Sequence, residues 1–181
     1  VNSYSAWPFL SDPNHPFLSA VWAVLIHGVI GVVCVAPLIW RSNHRIAYFV
    51  LAFIGGSVLD VDHFIAAGSL NLHTIETMAG RPATHSFVFV VVLGLLTLLV
   101  TRRWIAAWAV FAVNLTHVLF DAAGGGVQVL YPLAHPDGLP WLVCPIGILA
   151  MLGISTILAG GLSRRPPSRL GRERSGVAAV G

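Results

Sequence analysis

The stretch IAYFVLAFIGGSVLDVDH, residues 46–63, decides how the chain is read. Its first 14 residues, Ile46 to Leu59, carry no charge. It then closes on Asp60, Asp62 and His63, two carboxylates and an imidazole directly beside apolar residues. Ionisable groups at a membrane boundary are expensive to desolvate, so they mark places that bind or transfer something. A helix needs ~20 apolar residues to cross the hydrocarbon, so this segment spans only if it runs on through Asp60–Ala66. On an ideal helix Asp60 and His63 share a face and Asp62 points elsewhere. Asp62 joins them only if the helix loosens at its end, and Gly55-Gly56 would permit a bend nearby.

Composition sets the same frame. Of 181 residues 56% are hydrophobic and only 9% are charged, with mean hydropathy +0.82. Soluble domains are roughly 25% charged, so the chain is expected to be an integral membrane protein with one compact domain. No lysine is present, and all ten basic residues are arginine. The pI near 9.4 then reports where arginines sit relative to the bilayer, and nucleic acid is not an expected partner. Cys34 and Cys144 lie in different apolar runs, one toward each side of the membrane, so neither a disulfide nor a shared metal site is expected.

Outward from the central stretch, five apolar runs appear. Residues 1–16 read as an interfacial arm with Trp7 at headgroup level, and no Arg or Lys there suggests a secretory signal. Phe17–Trp40 is the first span, and its 24 residues allow tilt or protrusion. Residues 46–66 form the second, His85–Val100 the third, Trp104–Ala123 the fourth and Trp141–Leu162 the fifth. Gly68–Thr84 is a polar loop holding His73, Glu76 and Arg81, and a Pro/Gly-rich loop runs from Gly124 to Pro140. The fold class expected is therefore an all-α bundle of five transmembrane helices over residues 17–162. A disordered basic cytoplasmic tail follows at 163–181. With the N-terminus outside, nine of the ten arginines fall on the cytoplasmic side, Arg81 being the exception.

That orientation places Asp60, Asp62, His63, His85 and Asp121 at outer ends of spans, with His117 one turn deeper. His27 lies ten residues into the first span, about 15 Å below Phe17, which calls for a recessed site. His117 and Asp121 stand at i, i+4 and can reach one ion. Imidazoles with carboxylates and no thiolate suit zinc first, with manganese or iron as alternatives. Seven ligands, His27, Asp60, Asp62, His63, His85, His117 and Asp121, exceed one tetrahedral ion. Two ions bridged by a carboxylate fit better, an arrangement suited to hydrolytic displacement. A lone membrane histidine usually hydrogen-bonds a neighbouring helix, and His15, His44 and His135 read as solvated loop residues.

The motifs then resemble a family. Ile26-His27-Gly28, Leu59-Asp60-Val-Asp62-His63, Arg81-Pro-Ala-Thr84-His85-Ser86 and Thr116-His117-Val-Leu-Phe-Asp121 occur in order, followed by Gly126 and Leu130-Tyr-Pro132. This order is similar to that of the bacterial membrane-bound metal-dependent hydrolases. Some of these are known as LexA-regulated inner-membrane proteins, with a distant likeness to zinc-dependent phospholipase C. The family pattern has proline where this chain has Leu59, glycine where it has Pro82, and a histidine where it has Gly80. His73 or Glu76 in the same loop could stand in for that histidine.

The expected function is metal-dependent hydrolysis of a lipid-linked ester in the inner or plasma membrane, on the extracytoplasmic side. The phosphoester preference follows from the resemblance. Asp62 and Arg81 are the candidate catalytic residues, Arg81 as a bidentate phosphate clamp or, equally, a headgroup anchor. Thr84 and Ser86 would orient ligands. The partner expected is a membrane lipid or lipid-linked substrate, and the oligomeric state is left open. A metal-binding or metal/proton-transporting protein without chemistry is the competing class, and a subunit whose polar groups only glue helices is a third. No inverted repeat is visible and the inner halves of the spans lack ionisable residues, which weighs against transport.

Overall fold

Long uncharged runs form helices in a bilayer because each backbone N–H and C=O must be satisfied within its own segment. The computed structural model describes residues 16–70, 82–124, 127–132 and 139–163, and all regular structure among them is helical. Helix α1 is Pro16–Trp40, α2 Arg45–Val58, α3 Asp62–Ala67, α4 Phe87–Thr101, α5 Trp104–Gly124 and α6 Val143–Ser163. A 3-10 turn over Leu59–Val61 joins α2 to α3, so the second span is a 23-residue rod from Arg45 to Ala67. The expected continuation through Asp60–Ala66 is therefore present. The N-terminal arm, most of the loop at 68–84 and the arginine-rich tail lie outside the described residues.

Four helices are long and apolar enough to cross a membrane: α1, the α2–α3 rod, α5 and α6. Helix α4 has 15 residues, about 22 Å of rise, and falls short of the ~30 Å hydrocarbon. Five full spans are thus not what the lengths show. The helix begins at Phe87 because Ser86 caps it, its hydroxyl accepting from the Phe89 N–H at 3.3 Å. His85, expected inside the third span, instead sits in the turn before the helix. The Phe87 N–H donates to the Val129 carbonyl at 2.9 Å, tying this turn to the chain that follows α5.

Helix α5 is the hub, touching α1, α2, α4 and α6. In its apolar window 78% of residues are buried, against 22% for α2–α3 and α6. Small residues make that approach possible: Ala106, Ala109 and Ala112 are buried in the main core beside Cys34, Val35, Ala52 and Met151. Val113 seats where α1 and α2 both offer glycine. A Cβ at Gly31 would come within 2.7 Å of Val113, and one at Gly56 within 2.8 Å. This three-helix crossing fixes the register of the next turn of α5, which carries His117. The outward faces stay apolar: Val29, Ile54, Leu99 and Ile157 are each at least half exposed, a surface suited to lipid rather than water.

Candidate metal centre

Asp60 and Asp62 reach the same place because the α2 rod changes pitch between them. Each residue turns about 100° in an α-helix and about 120° in a 3-10 helix. The Leu59–Val61 turn therefore swings Asp62 toward the face that Asp60 and His63 share. The helix tightens here, where sequence reasoning required it to loosen. Gly55-Gly56 lies inside α2, where Gly56 lets Val113 approach closely and Gly55 leaves only an ordinary contact with Asn114. Gly68, with φ 58°, then ends α3 in the left-handed conformation that glycine adopts without a Cβ clash.

Helix α5 brings in His117 and Asp121. The His117 Nδ1 lies 2.8 Å from the Gly56 carbonyl oxygen. A carbonyl only accepts, so Nδ1 carries a proton, and Nε2 is the nitrogen that would offer its lone pair to a metal once the ring is neutral. That Nε2 stands 3.3 Å from Asp60 Oδ1 and 3.3 Å from Asp121 Oδ2. The turn at 82–86 adds His85, whose Nε2 is 3.3 Å from Asp121 Oδ2 and 3.8 Å from Asp60 Oδ1. Its Nδ1 is 3.4 Å from Asp62 Oδ2. His63 Nδ1 lies 3.0 Å from Asp62 Oδ1 and 3.2 Å from the Asp60 carbonyl.

Two ligand groups result. Asp60, His85, His117 and Asp121 form one, and Asp62, His63 and His85 the other, with ligand atoms in each group within 4.8 Å of one another. The shared residue is His85, whereas a bridging carboxylate was expected. A neutral imidazole has one lone pair, so His85 serves one group at a time. The first group offers four nitrogen and oxygen donors, the number that a tetrahedral zinc site uses. The second offers three, the number of protein ligands that catalytic zinc sites have.

The donor chemistry fits a divalent cation. Both ring nitrogens of His85 and the Nε2 atoms of His27 and His117 are buried without a hydrogen bond. Carboxylates nevertheless lie 3.2–3.8 Å from these rings. Unmade hydrogen bonds on buried groups are costly, and a cation bound between the rings and the carboxylates would satisfy both. Burial presses the His85 imidazolium down, but Asp121, Asp60 and Asp62 around it hold its pKa up, at about 10. His85 therefore keeps its proton in the metal-free protein, and a cation entering either group must expel that proton.

The remaining expected residues fall at different distances from this centre. His27 stands beside the first group rather than within it. Its Nδ1 is 3.2 Å from Asp60 Oδ2 and its Nε2 3.4 Å from Asp121 Oδ1. Its ring tilts against His117 at a centroid distance of 3.9 Å, with the Phe120 edge at 4.9 Å. Eleven residues of α1 precede it, about 16 Å of helix, so the cluster is set back along α1. Thr84 donates its hydroxyl to Asp62 Oδ2. Ser86, expected to orient a ligand, spends its hydroxyl on the α4 cap. Arg81, His73, Glu76, His15 and His135 lie outside the described residues, and His44 is exposed.

Sequence reasoning missed the Gly56 carbonyl as the partner of His117. A backbone acceptor has no residue signature; only the glycine beside a helix crossing hinted at it. The chain after α5 is a second such element. Val127 and Val129 are buried with Leu59, Val90, Val118 and Ala122 beneath the cluster. The Leu139 N–H bonds the Ala122 carbonyl at 3.0 Å. This packing carries α5 and the turn at 82–86 as one piece.

A family model described as YdjM inner membrane protein matches residues 23–180, most of the chain and every element of the cluster. No curated protein and no solved structure gives a match. The apolar helices and this match agree. The chain belongs to the YdjM inner membrane protein family and is a multi-pass protein of the inner membrane.

Proposed function

We propose that the protein is a metal-dependent hydrolase of a lipid-linked ester, with a phosphoester as the preferred class. In this reading the site opens to the extracytoplasmic face, with the N-terminus outside, the C-terminus inside and α4 as a short fifth span. The observation that carries the reading is the convergence of seven His and Asp side chains from α1, the α2–α3 rod, the turn at 82–86 and α5. Orientation is supported by Arg41, Arg45, Arg102 and Arg103, which lie at the opposite ends of these helices. The phosphoester preference rests on the resemblance of the motifs to the membrane-bound hydrolases.

Zinc is the first choice of ion, one or two, and when bound it would lower the pKa of a water to about 7 and polarise an ester oxygen. The residues prepare for that chemistry. Gly56 fixes the tautomer of His117, and His27 steadies Asp60 and Asp121. Thr84 steadies Asp62, which stands in the three-residue group and could take a proton from an attacking water. The position of the cluster along α1 favours a substrate that already lies in the bilayer. Arg81, on the outer loop of this topology, would hold a phosphate through its guanidinium fork.

The test is elemental analysis of purified protein followed by a hydrolysis assay on phospholipid with a labelled headgroup. Bound zinc with chelator-sensitive release of the label is the expected result. Arg81→Ala should keep metal content while hydrolysis falls by about one to two orders of magnitude, since a hydrogen bond to a charged group is worth roughly 1.5–3 kcal/mol. Metal without hydrolysis would move the protein to the binding or transport class. Absence of metal would sink the metal centre itself.

A further inference from the structure

The far end of the bundle carries a second constellation that the metal centre does not use. A cleft of about 470 Å³ there is lined by Arg41, His44, Tyr48, Arg102 and Arg103, among others. It forms where the α1–α2 turn meets the corner between α4 and α5. A separate groove of about 350 Å³ runs along Leu95, Leu98 and Leu99 of α4 and ends on the same Arg102. Cationic cleft and apolar groove thus share one residue.

The charge at this end is uncompensated within the described chain. Among the described residues the only carboxylates are Asp60, Asp62 and Asp121, all in the metal centre. Arg45 lies over the Trp40 ring at 5.5 Å, and Arg41 donates to Ser163 Oγ at 2.7 Å. Arg102 is held in an unusual way. It has φ 55°, the left-handed conformation where helices commonly end on glycine. Its backbone N–H bonds the Leu98 carbonyl at 2.8 Å and its Nε the Leu99 carbonyl at 3.1 Å. Those two bonds orient the guanidinium beside the leucine groove.

We propose that this end binds one anionic phospholipid, its phosphate in the Arg41–Arg102–Arg103 cleft and an acyl chain along Leu95, Leu98 and Leu99. Free phosphate would satisfy the cleft alone; the groove is what selects a lipid. Exposed arginines facing plain water account for neither the groove nor the placement of Arg102. Basic pockets between helices at the cytoplasmic face are suited to anionic headgroups.

Native mass spectrometry in neutral detergent tests this with phosphatidylglycerol, phosphatidylcholine and inorganic phosphate as probes. The wild-type protein should retain one phosphatidylglycerol in preference to phosphatidylcholine, and millimolar phosphate should not displace it. Arg102→Gly suits the observed φ, so the variant should fold at least as well. It should nonetheless lose about fivefold in retention, the equivalent of roughly 1 kcal/mol for one arginine at a lipid surface. Arg102→Gly with Arg103→Gln should lose about 25-fold on the same scale. Retention should be unchanged in Arg81→Ala, which separates this lipid from a substrate at the metal centre. Equal retention of both lipids, displacement by phosphate alone, or full retention in the double variant would overturn the proposal.

Discussion

The two ends of the helix bundle handle charge in opposite ways. At one end, carboxylates and imidazoles are pulled inward, and His63, His85, His117 and Asp121 are almost wholly buried. At the other, Arg41, Arg45, Arg102 and Arg103 remain exposed. The backbone follows the same division. The buried end needs a 3-10 turn, a left-handed glycine and a helix that starts late. The arginine end needs ordinary helix termini and one left-handed arginine. Burying ionisable groups demands that each find a partner, and regular helices rarely aim several side chains at one point. Exposed arginines face no such demand.

The two ends of the bundle are expected to face opposite sides of the membrane. Leu70 and Asn43 are both exposed, one beyond α3 and the other in the α1–α2 turn. The native Cys34 and Cys144 are buried and should give little background. Leu70→Cys should react with an impermeant thiol reagent in intact cells, and Asn43→Cys only after the membrane is opened. The reverse pattern would place the His/Asp cluster in the cytoplasm and remove the extracytoplasmic chemistry proposed above.

A smaller but still large effect is expected from the ligands on α5. His117→Ala and Asp121→Ala should each deplete bound metal, because both belong to the four-residue group. His117→Ala also strands the Gly56 carbonyl, and an unsatisfied buried acceptor costs about 1–3 kcal/mol. Thermal unfolding should therefore shift for His117→Ala even in chelator. By contrast, Arg103→Gln at the other end should leave metal content alone. If either α5 variant keeps its full metal complement, α5 does not contribute to the centre and the two ends differ only in burial.

Much of this was legible in the sequence. The apolar runs gave helix positions to within a few residues, because hydropathy and length alone govern spanning. The polar residues of the centre were visible because each stands out against an uncharged run. What could not be read was local backbone geometry. Asp62 enters through a change of helical pitch that no residue in Leu59–Val61 announces. Helix α4 is short because His85 is pinned in the cluster and Ser86 caps the helix at once. Ser86 was readable in principle, being a good N-cap residue just ahead of an apolar run; its place beside His85 drew attention to ligand chemistry instead. The division of ligands into two groups around His85 depends on ring orientation, which sequence spacing does not encode.

That division allows the finest test, which concerns Thr84. Its hydroxyl donates to Asp62 Oδ2, in the three-residue ligand group. Asp62 belongs to that group alone, so the group it serves should feel the loss of this hydroxyl most. Hydrogen bonds that orient a metal-ligating carboxylate are typically worth about 10–100-fold in metal affinity. Thr84→Val keeps the branched shape and deletes the donor. Zinc titration of metal-free wild-type protein should show two steps, and Thr84→Val should weaken the second by that factor while leaving the first in place. Thr84→Ser restores the hydroxyl and should restore the second step. A single step, indifferent to Thr84, would mean that Asp62 binds no ion of its own. Asp62 would then act on the substrate side of one metal, and the pair of groups around His85 would be a single site with one base beside it.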